Sequence, residues 1–179
     1  MADVYKRLIT EEMFAKVVLI LGGNLGDRKE LINQAVKSIS EKNRLIAFSA
    51  IYETQAWGNV AHGNFLNQVI QIESSLSPEK LLHQIQQIEK KLGRKRTETW
   101  GDRTMDIDIL YFGDEVIKTP NLTIPHRYIQ DRRFVLIPLA EILPDMIHPV
   151  LGKSNQTLLE ECQDPCEVKI FTGTQKDPL

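Results

Sequence analysis

The chain has 179 residues, of which 42% are hydrophobic and 26% are charged, a composition typical of a globular domain with its own core. The formal net charge of -2 argues against a general nucleic-acid-binding surface, so phosphate binding would need a local cluster of basic residues. No apolar run reaches the roughly 18 residues of a membrane span, and residues 1–15 lack the apolar core of a secretory signal, so we expect a cytoplasmic protein without a membrane segment.

The first predicted elements are an extension, a strand and a helix. Residues 1–15 are expected to form the N-terminal extension, and the apolar run 17–21 predicts a buried strand. The glycine-rich segment 22–26 ends this strand, and Asp27 has a side chain suited to cap the helix that follows. That helix repeats apolar residues with a helical period, which predicts one buried face.

Two strands are predicted next. Residues 45–53 are rich in strand-forming residues and predict one strand, and a loop over 54–63 separates it from a second strand at 65–73. Side chains alternate in polarity along the second strand, so Phe65 and Asn67 would share one face.

A helix and a strand then flank a basic loop. Ser77 and Pro78 form a favourable helix start, as N-cap and first residue, and Gly93 ends the helix. The polar, basic loop runs to Thr104 and leads into a strand predicted over 105–112. The order up to this point is β-α-β-β-α-β, which is the ferredoxin-like pattern of an α+β fold.

The last part of the chain predicts helices that could add a third layer. A turn at 113–114 leads to a short returning strand at 116–117, and an apolar helix is expected over 134–143. If that helix covers the free face of the sheet, a three-layer α-β-α arrangement results. The remaining expectations are a short helix at 155–162, one domain over 16–165 and a polar tail over 166–179.

Two aspartates lie one residue apart in the strand predicted over 105–112. Because strand side chains alternate, Asp106 and Asp108 would point to one face, with Cα atoms about 6–7 Å apart. The other face would carry Ile107, Ile109 and Tyr111. Paired carboxylates suit magnesium, although an Asp-x-Asp pair alone is a weak signal that also fits a solvated strand face.

Basic residues flank the acidic strand on both sides. They are Arg94, Lys95, Arg96 and Arg103 before it, and Arg127, Arg132 and Arg133 after it. A run of charges is often only a solvated surface, but Arg103 is tethered close to Asp106 by the chain. Arginine matches phosphate oxygens in pairs, and carboxylates for magnesium beside arginines are what phosphoryl transfer requires. The sequence therefore predicts a metal–phosphate site.

A second group of residues could bind a flat heterocycle. Its members are Trp57, Phe65, Trp100, Phe134 and Asn67. Aromatic rings can sandwich a heterocycle, while an asparagine amide both donates and accepts hydrogen bonds at its edge. The alternative is that Phe65 and Phe134 are ordinary core residues, because large aromatic side chains are usually buried.

The motifs together resemble the 6-hydroxymethyl-7,8-dihydropterin pyrophosphokinase family over residues 17–149. They are Trp100-Gly-x-Arg103-Thr-x-Asp106-x-Asp108, Leu21-Gly-x-Asn24-Leu-Gly-Asp-Arg, Tyr52-x-Thr54, Phe65-Leu-Asn67, and Pro125-His126 followed by Arg132-Arg133-Phe134. Five motifs in the same order are far more specific than any one of them. The resemblance implies an enzyme of folate biosynthesis that moves pyrophosphate from ATP to the pterin's hydroxymethyl oxygen and releases AMP.

The resemblance also implies a role for each site residue. Two magnesium ions would be held by Asp106 and Asp108, and these aspartates would form the catalytic set together with two phosphate-clamping arginines, Arg94 and Arg103. The co-substrate ATP would contact Glu89, Arg96, Trp100, Ile109, Thr123, His126 and Arg132. The pterin would contact Thr54, Gln55, Trp57, Phe65, Asn67 and Phe134. We expect a monomer without a nucleic-acid partner.

The sequence departs from the family pattern at a few positions. Gly23 stands where the family usually has Ser or Thr, and Gln55 and Ala56 replace prolines. Asn121 stands where a basic residue is sometimes found. These departures concern the conformation of loops and minor contacts to ATP rather than the chemistry.

Two other hypotheses stay open at the level of sequence. A two-metal nucleotidyl transferase of the polymerase-palm type would share the fold and the paired aspartates, but it would retain AMP in its product. An RNA-binding module would need exposed aromatic residues and a basic face on its central strands. The strand with Asp106 and Asp108 is acidic instead, which argues against that module.

Overall fold

The computed structural model describes residues 14–55, 63–94 and 101–173, which form eight strands and four helices. The strands are β1 (Ala15–Gly23), β2 (Arg44–Phe48), β3 (Tyr52–Thr54), β4 (Phe65–Ser74), β5 (Asp106–Phe112), β6 (Ile117–Lys118), β7 (Thr123–Ile124) and β8 (Val168–Ile170). The helices are α1 (Arg28–Ser40), α2 (Pro78–Lys91), α3 (Arg133–Ile142) and α4 (Asn155–Glu161). In the described part of the chain, no helix is both long and apolar enough to cross a bilayer.

Six of the strands form one antiparallel sheet with helices on both faces. The strands follow the order β5-β1-β4-β3-β8, and β2 also pairs with β4. Strands β6 and β7 form a separate two-stranded sheet. Helices α1 and α2 pack on one face of the large sheet, and α3 and α4 pack on the other. The predicted α+β fold with three α-β-α layers is confirmed.

Each face of the sheet has its own apolar core. The first core, between the sheet and helices α1 and α2, contains Leu19, Ile32, Leu66, Ile70, Ile85 and Ile107 among others. The second core, between the sheet and helices α3 and α4, contains Val18, Ile20, Val69, Tyr111, Leu136 and Leu139 among others. Leu66 and Ile70 thus lie on the face opposite Val69, which confirms the predicted alternation in β4.

The predicted helix starts at Asp27 and Ser77 are confirmed by capping hydrogen bonds. Asp27 Oδ1 accepts from the backbone N–H of Glu30 at 3.0 Å, and Ser77 Oγ accepts from that of Lys80 at 3.4 Å. Each bond satisfies one of the N–H groups that have no partner inside a helix.

A bulge in β5 corrects the predicted position of Tyr111. The pairing of β1 with β5 shifts between Val18 and Leu19, which face Tyr111 and Ile109, and Leu110 is the extra residue. An extra residue reverses the alternation of every side chain beyond it. Tyr111 therefore lies in the second core, on the face opposite Ile109, and not beside Ile109 as simple alternation predicted.

The strand predicted over 45–53 is in fact two strands, β2 and β3. The register against β4 shifts by one residue between them, from Phe48 opposite Ile70 to Tyr52 opposite Asn67. At the break, the hydroxyl of Ser49 accepts the backbone N–H of Val69 at 3.1 Å. A side-chain oxygen thus replaces a backbone acceptor, and the regular ladder is interrupted.

The two ends of the described chain also differ from the sequence analysis. Strand β1 begins at Ala15, so it includes the last residue assigned to the N-terminal extension. The polar tail contains strand β8, in which Val168 pairs with Thr54 and Ile170 with Tyr52. A strand of only three residues has too little apolar periodicity to be recognised from sequence.

Candidate active site

Strand β5 presents two carboxylates on the same side of the sheet. Asp106 lies opposite Gly22 of β1, and Asp108 lies opposite Ile20. Burial, and then the charge of Asp106, raise the pKa of Asp108 to about 6, while Arg132 and other arginines act in the opposite direction. Asp106 is paired with Arg94 and Arg103, whereas Asp108 is the more buried member of the pair.

Arg94 follows helix α2 and reaches back to β5. Gly93 adopts a φ of 85°, a left-handed conformation that favours glycine and ends the helix at this point. The Arg94 guanidinium donates to Glu89 and to Asp106, and the backbone N–H of Ile107 donates to Glu89 at 2.8 Å. Burial raises the pKa of Glu89 to about 7, against the effects of that N–H and of Arg94. Glu89 thus helps to hold the Arg94 guanidinium in position beside Asp106.

Arg103 is held through both its side chain and its backbone. Its Nη1 donates to Asp106 Oδ2 at 2.5 Å, and its guanidinium carbon lies 5.4 Å from the centroid of the Phe65 ring. The side-chain Oδ1 of Asn24 accepts from the Arg103 backbone N–H at 2.8 Å, and the backbone N–H of Asn24 donates to the Arg103 carbonyl at 3.0 Å. The buried Nε of Arg103 has no hydrogen-bond partner among the residues described, so it can donate to a ligand.

Gly23 permits the close approach of this segment to β1. A Cβ atom at Gly23 would lie 2.3 Å from the carbonyl oxygen of Thr104 and 3.1 Å from that of Arg103. A side chain would therefore push the Arg103–Thr104 backbone away from the end of β1. The departure from Ser or Thr at this position has a structural reason, because only glycine leaves room for these carbonyl groups.

Arg132 lies close to two aromatic rings. Its guanidinium carbon is 4.7 Å from the ring centroid of Tyr128 and 5.7 Å from that of Phe134. Burial lowers the pKa of Arg132, and the charge of Asp108 opposes this effect. The rings restrict the planar guanidinium, since stacking on an aromatic face is a favourable geometry for arginine.

His126 is a neutral donor beside these cations. Its backbone N–H donates to the Leu110 carbonyl at 3.0 Å, which attaches it to the bulge of β5. Burial, and then the charges of Arg132 and Arg127, lower the pKa of the His126 imidazole to about 4. Because the backbone N–H of Tyr128 donates to Nδ1 at 3.3 Å, the neutral ring carries its proton on Nε2.

Neutral polar and aromatic groups, from Thr54, Phe65 and Asn67, form a second wall of the site, here called the neutral wall. Asn67 Nδ2 donates to Thr54 Oγ1 at 3.2 Å across the pair β3–β4. A Cβ atom at Gly22 would lie 2.4 Å from Asn67 Oδ1, so the amide occupies space that only glycine leaves open. Phe65, two residues before Asn67 on β4, adds an aromatic surface to the same side.

Helix α3 is tied to β3 by Glu141. Its carboxylate accepts from the Ala50 backbone N–H at 3.0 and 3.1 Å and from the Tyr52 hydroxyl at 2.9 Å. Burial and this contact raise the pKa of Tyr52 to about 12, so its hydroxyl remains a donor. The tie fixes the helix that carries Phe134 relative to the strand that carries Thr54.

A cavity of about 450 Å³ brings the two walls together. The residues predicted from sequence that line it are Thr54, Gln55, Phe65, Asn67, Arg94, Arg103, Asp106, Asp108, His126, Arg132 and Phe134. Its volume lies within the range of small-molecule sites, roughly 300–1,000 Å³. The arginines and carboxylates of one wall and the neutral polar and aromatic groups of the other therefore share one cavity.

Some predicted residues do not line this cavity. Glu89 lies behind Arg94, the Ile109 side chain is buried in the first core, and Thr123 is exposed on β7. The predictions for Trp57, Arg96 and Trp100 fall outside the described residues.

Four cavity residues were not in the predicted set. They are Ile20, Gly22, Arg127 and Tyr128. Arg127 had been noted only as part of a basic cluster. Tyr128 stands two residues after His126, and this proximity was an available but weak signal. Gly22 has no side chain to signal a role, and only the structure reveals the amide that lies against it.

The carboxylates of β5 have the chemistry of a magnesium site. Within the described ranges, no group of three or more His, Cys, Asp or Glu is arranged as a complete metal cage. Magnesium commonly uses only one or two protein carboxylates and completes its shell with water and substrate phosphates. The two aspartates that line the cavity fit that pattern.

The fold and the site define a class of α+β proteins that bind phosphate groups and a planar ligand in one cavity. The chain belongs to the 7,8-dihydro-6-hydroxymethylpterin-pyrophosphokinase (HPPK) family, whose sequence model matches residues 18–144. It is 45% identical over 139 residues to a 2-amino-4-hydroxy-6-hydroxymethyldihydropteridine pyrophosphokinase of Aquifex aeolicus (strain VF5), covering 78% of this chain and 87% of the relative. A protein of the same name from Haemophilus influenzae is 41% identical over 133 residues, 73% of this chain and 83% of the relative. The resemblance stated from the motifs is confirmed.

Solved structures support the fold independently. The crystal structure of Plasmodium falciparum HPPK-DHPS wild type with pteroate matches with a TM-score of 0.68 at 19% identity. The match covers 83% of this chain and 42% of that larger chain. At this identity the likeness supports the three-layer architecture alone.

Proposed function

We propose that this protein transfers the pyrophosphoryl group of ATP to the hydroxymethyl oxygen of 6-hydroxymethyl-7,8-dihydropterin and releases AMP. The observation that carries the proposal is the shared cavity, in which arginines and carboxylates face a neutral wall of amide, hydroxyl and aromatic groups. Family membership and relatives named as pyrophosphokinases support the same activity.

The charged end of the cavity would take the phosphates of ATP. Arg94 and Arg103 both contact Asp106, and the Nε of Arg103, which has no partner among the described residues, offers a further donor to a phosphate oxygen. His126 Nε2 and the guanidinium of Arg132 line the same end. Transfer at phosphorus depends mainly on positioning and charge neutralisation, which this set of donors supplies.

Asp106 and Asp108 would hold the two magnesium ions. When bound, magnesium neutralises phosphate charge and orients the reacting oxygens. The proposal also assigns ATP contacts to Glu89, Ile109 and Thr123, which do not line the cavity, and to Arg96 and Trp100, which lie outside the described residues.

The neutral end would take the pterin. Asn67 and Thr54 offer both donors and acceptors to the edge of a heterocycle, and Phe65 and Phe134 offer ring faces. Gln55 lies beside Thr54 and adds a second amide. Trp57 is proposed as a further pterin contact from its sequence position.

The reaction joins the two ends of the cavity. The hydroxymethyl oxygen forms a bond to the β-phosphorus of ATP, and the bond between that phosphorus and the oxygen bridging to the α-phosphorus breaks. AMP leaves with the bridging oxygen, and the hydroxyl proton is released to solvent. Arg103 lies between the two ends, since its guanidinium contacts both Asp106 and the Phe65 ring. The positive charge of Arg103 would therefore lie beside the pyrophosphoryl group as this group moves from ATP to the pterin.

Product analysis tests the proposal. Purified protein is incubated with ATP, magnesium and the hydroxymethyl pterin, and the products are separated by chromatography. We expect AMP and a pterin diphosphate in equal amounts. Free pyrophosphate together with an adenylated pterin would instead indicate the nucleotidyl transferase and would overturn the proposal.

A further inference from the structure

Arg28, the first residue of α1, is a buried charged side chain away from the cavity. Only 8% of its surface is exposed. Its Nη1 donates to Glu53 Oε1 at 2.9 Å and to the carbonyl oxygen of Asn64 at 2.7 Å. A buried charge is retained at low cost only when it is paired and hydrogen-bonded, and these two contacts meet that condition.

The two acceptors lie next to residues of the neutral wall. Glu53 immediately precedes Thr54 at the end of β3, and Asn64 immediately precedes Phe65 at the start of β4. Thr54 and Phe65 are direct partners in the register of these strands, and both line the cavity. Arg28 therefore joins the two strand ends at the point where the neutral wall begins.

The contact is made from the opposite face of the sheet. Successive strand residues point to opposite faces, so Glu53 points away from the side on which Tyr52 meets Glu141 of α3. Arg28 reaches Glu53 from α1, which belongs to the layer of the first core. Arg28 thus does not touch the cavity, and any effect on the ligand has to pass through the position of the strands.

The C-terminal strand completes the contact. The guanidinium carbon of Arg28 lies 5.8 Å from the ring centroid of Phe171, within the range of a cation–π interaction. Phe171 directly follows β8, and its backbone N–H donates to the Ile51 carbonyl at 2.8 Å. This residue lies beyond position 144, where the match to the family model ends. The cluster of Arg28, Glu53 and Phe171, here called the strand clamp, thus joins the tail to the family core.

We propose that Arg28 is a positioning residue for the acceptor substrate, acting through the strand clamp to fix Thr54 and Phe65 in the cavity. The inference rests on the proposed function, because it assumes that the neutral wall binds the pterin. If the clamp is lost, the ends of β3 and β4 separate or rotate, and Thr54 and Phe65 no longer hold their positions in the neutral wall. The arginines and aspartates of the charged end keep their own contacts. The expected signature is a selective loss of pterin affinity.

The test compares Arg28→Met with Arg44→Met. Arg44 is a matched control because it forms an ion pair with Glu73 at 3.1 Å between neighbouring strands β2 and β4, far along the strand from the cavity residues. We expect Arg28→Met to raise the KM for the pterin about tenfold and to leave the KM for ATP within about twofold. Arg44→Met leaves both constants at the wild-type values. A purely structural role would lower the concentration of active enzyme, and thus the apparent kcat, without changing either KM.

Equal changes in both KM values, or no change in the KM for the pterin in folded Arg28→Met, would overturn the proposal. If Arg28→Met does not fold, Phe171→Leu is measured against Phe171→Tyr. The first variant removes the ring but leaves both hydrogen bonds of Arg28, and we expect it to raise the pterin KM about threefold, with Phe171→Tyr unchanged. An unchanged KM in Phe171→Leu also contradicts the clamp.

The failure of the proposed function gives a different result. In that case the wild-type protein produces no AMP, and the equilibrium Kd for the pterin is measured by its fluorescence in the presence of magnesium and a non-hydrolysable ATP analogue. A Kd that rises in Arg28→Met but not in Arg44→Met supports the clamp without turnover. Equal Kd values in the two variants, or no binding by the wild-type protein, overturn it.

Discussion

The two ends of the cavity are built by different kinds of interaction. At the charged end, Arg94 and Arg103 are held by ion pairs to the same carboxylate, Asp106. At the neutral end, Asn67 and Thr54 are held by one hydrogen bond between neighbouring strands. The comparison shows that the charged end depends on long side chains anchored at a few points, whereas the neutral end depends on the alignment of the sheet.

This difference predicts that added salt affects binding at the two ends to different extents. Contacts between charges weaken as salt screens them, while contacts between an amide and a neutral ring are much less affected. We therefore expect added salt to weaken ATP binding more than pterin binding. Four substitutions below test this division, from the largest expected effect to the smallest, and a last prediction concerns stability in acid.

Replacing Asp106 should cause the largest loss of turnover. Asp106→Ala removes the partner of Arg94 and Arg103 and one of the proposed magnesium ligands, so we expect turnover to fall roughly a thousandfold or more. AMP release measured by chromatography, with circular dichroism to verify the fold, provides the measurement. Asp114→Ala is the control, because Asp114 is exposed in the turn after the same strand. Near-normal turnover in folded Asp106→Ala contradicts the assigned role.

Removing Arg103 should reduce the rate more than it reduces ATP affinity. Its guanidinium lies between the two ends of the cavity, where charge is transferred, so we expect Arg103→Ala to lower kcat about a hundredfold and to raise the Kd for ATP only about threefold. Single-turnover kinetics and equilibrium binding separate the two quantities. Arg103→Lys should recover part of the rate, since it keeps the charge without the planar fork. A loss of affinity as large as the loss of rate would indicate only a ground-state contact.

Truncating Asn67 should affect the neutral end alone. Asn67→Ala removes a buried amide and leaves a Thr54 hydroxyl without its partner, so we expect the KM for the pterin to rise about ten- to fiftyfold. The KM for ATP and its dependence on salt should stay at wild-type values. Gln71→Ala, further along β4, is the control for a lost amide on the same strand. A parallel rise in the KM for ATP would show that the two ends are not separate.

Much of the fold could be predicted from sequence because it follows from repeating patterns. The apolar run of β1, the alternation in β4 and the caps at Asp27 and Ser77 are each local signals with one structural meaning. Two of the failures share one cause. The bulge at Leu110 and the break at Ser49 depend on the register against a neighbouring strand, and this register is absent from any single segment.

The same distinction applies to the site. Asp106, Asp108 and Arg103 lie within six residues of one another, so their proximity could be predicted from the chain alone. Gly23 and Asn24 act on the Arg103 segment from almost eighty residues away, and their contacts appear only in three dimensions. The two rings near Arg132, from Tyr128 and Phe134, likewise depend on how α3 meets the preceding turn.

Replacing Tyr128 should produce a modest effect confined to the charged end. Tyr128→Leu removes one of the two rings beside Arg132, so we expect the KM for ATP to rise about three- to fivefold, with the pterin KM unchanged. Tyr128→Phe keeps the ring and should behave as the wild type. In an Arg132→Ala background, Tyr128→Leu should have a smaller effect, because only its contact with Arg127, whose guanidinium carbon lies 4.8 Å from the ring centroid, is still there to be lost. Additive losses in the double variant would contradict the coupling.

The smallest predicted effect concerns stability in acid rather than catalysis. The pKa of His126 is lowered from 6.5 to about 4 in the folded chain, first by burial and then by Arg132 and Arg127. Between these two values the unfolded chain binds a proton that the folded chain does not, so the free energy of unfolding falls as the pH falls, and the contribution is complete above 6.5. Allowing for solvent screening, we expect a loss of about 1–2 kcal/mol. Urea unfolding at about pH 7.5 and about pH 4.5 measures it, with His126→Asn as the reference that cannot titrate there. Identical pH dependence in the two proteins would show that the imidazole is accessible to protons in the folded state.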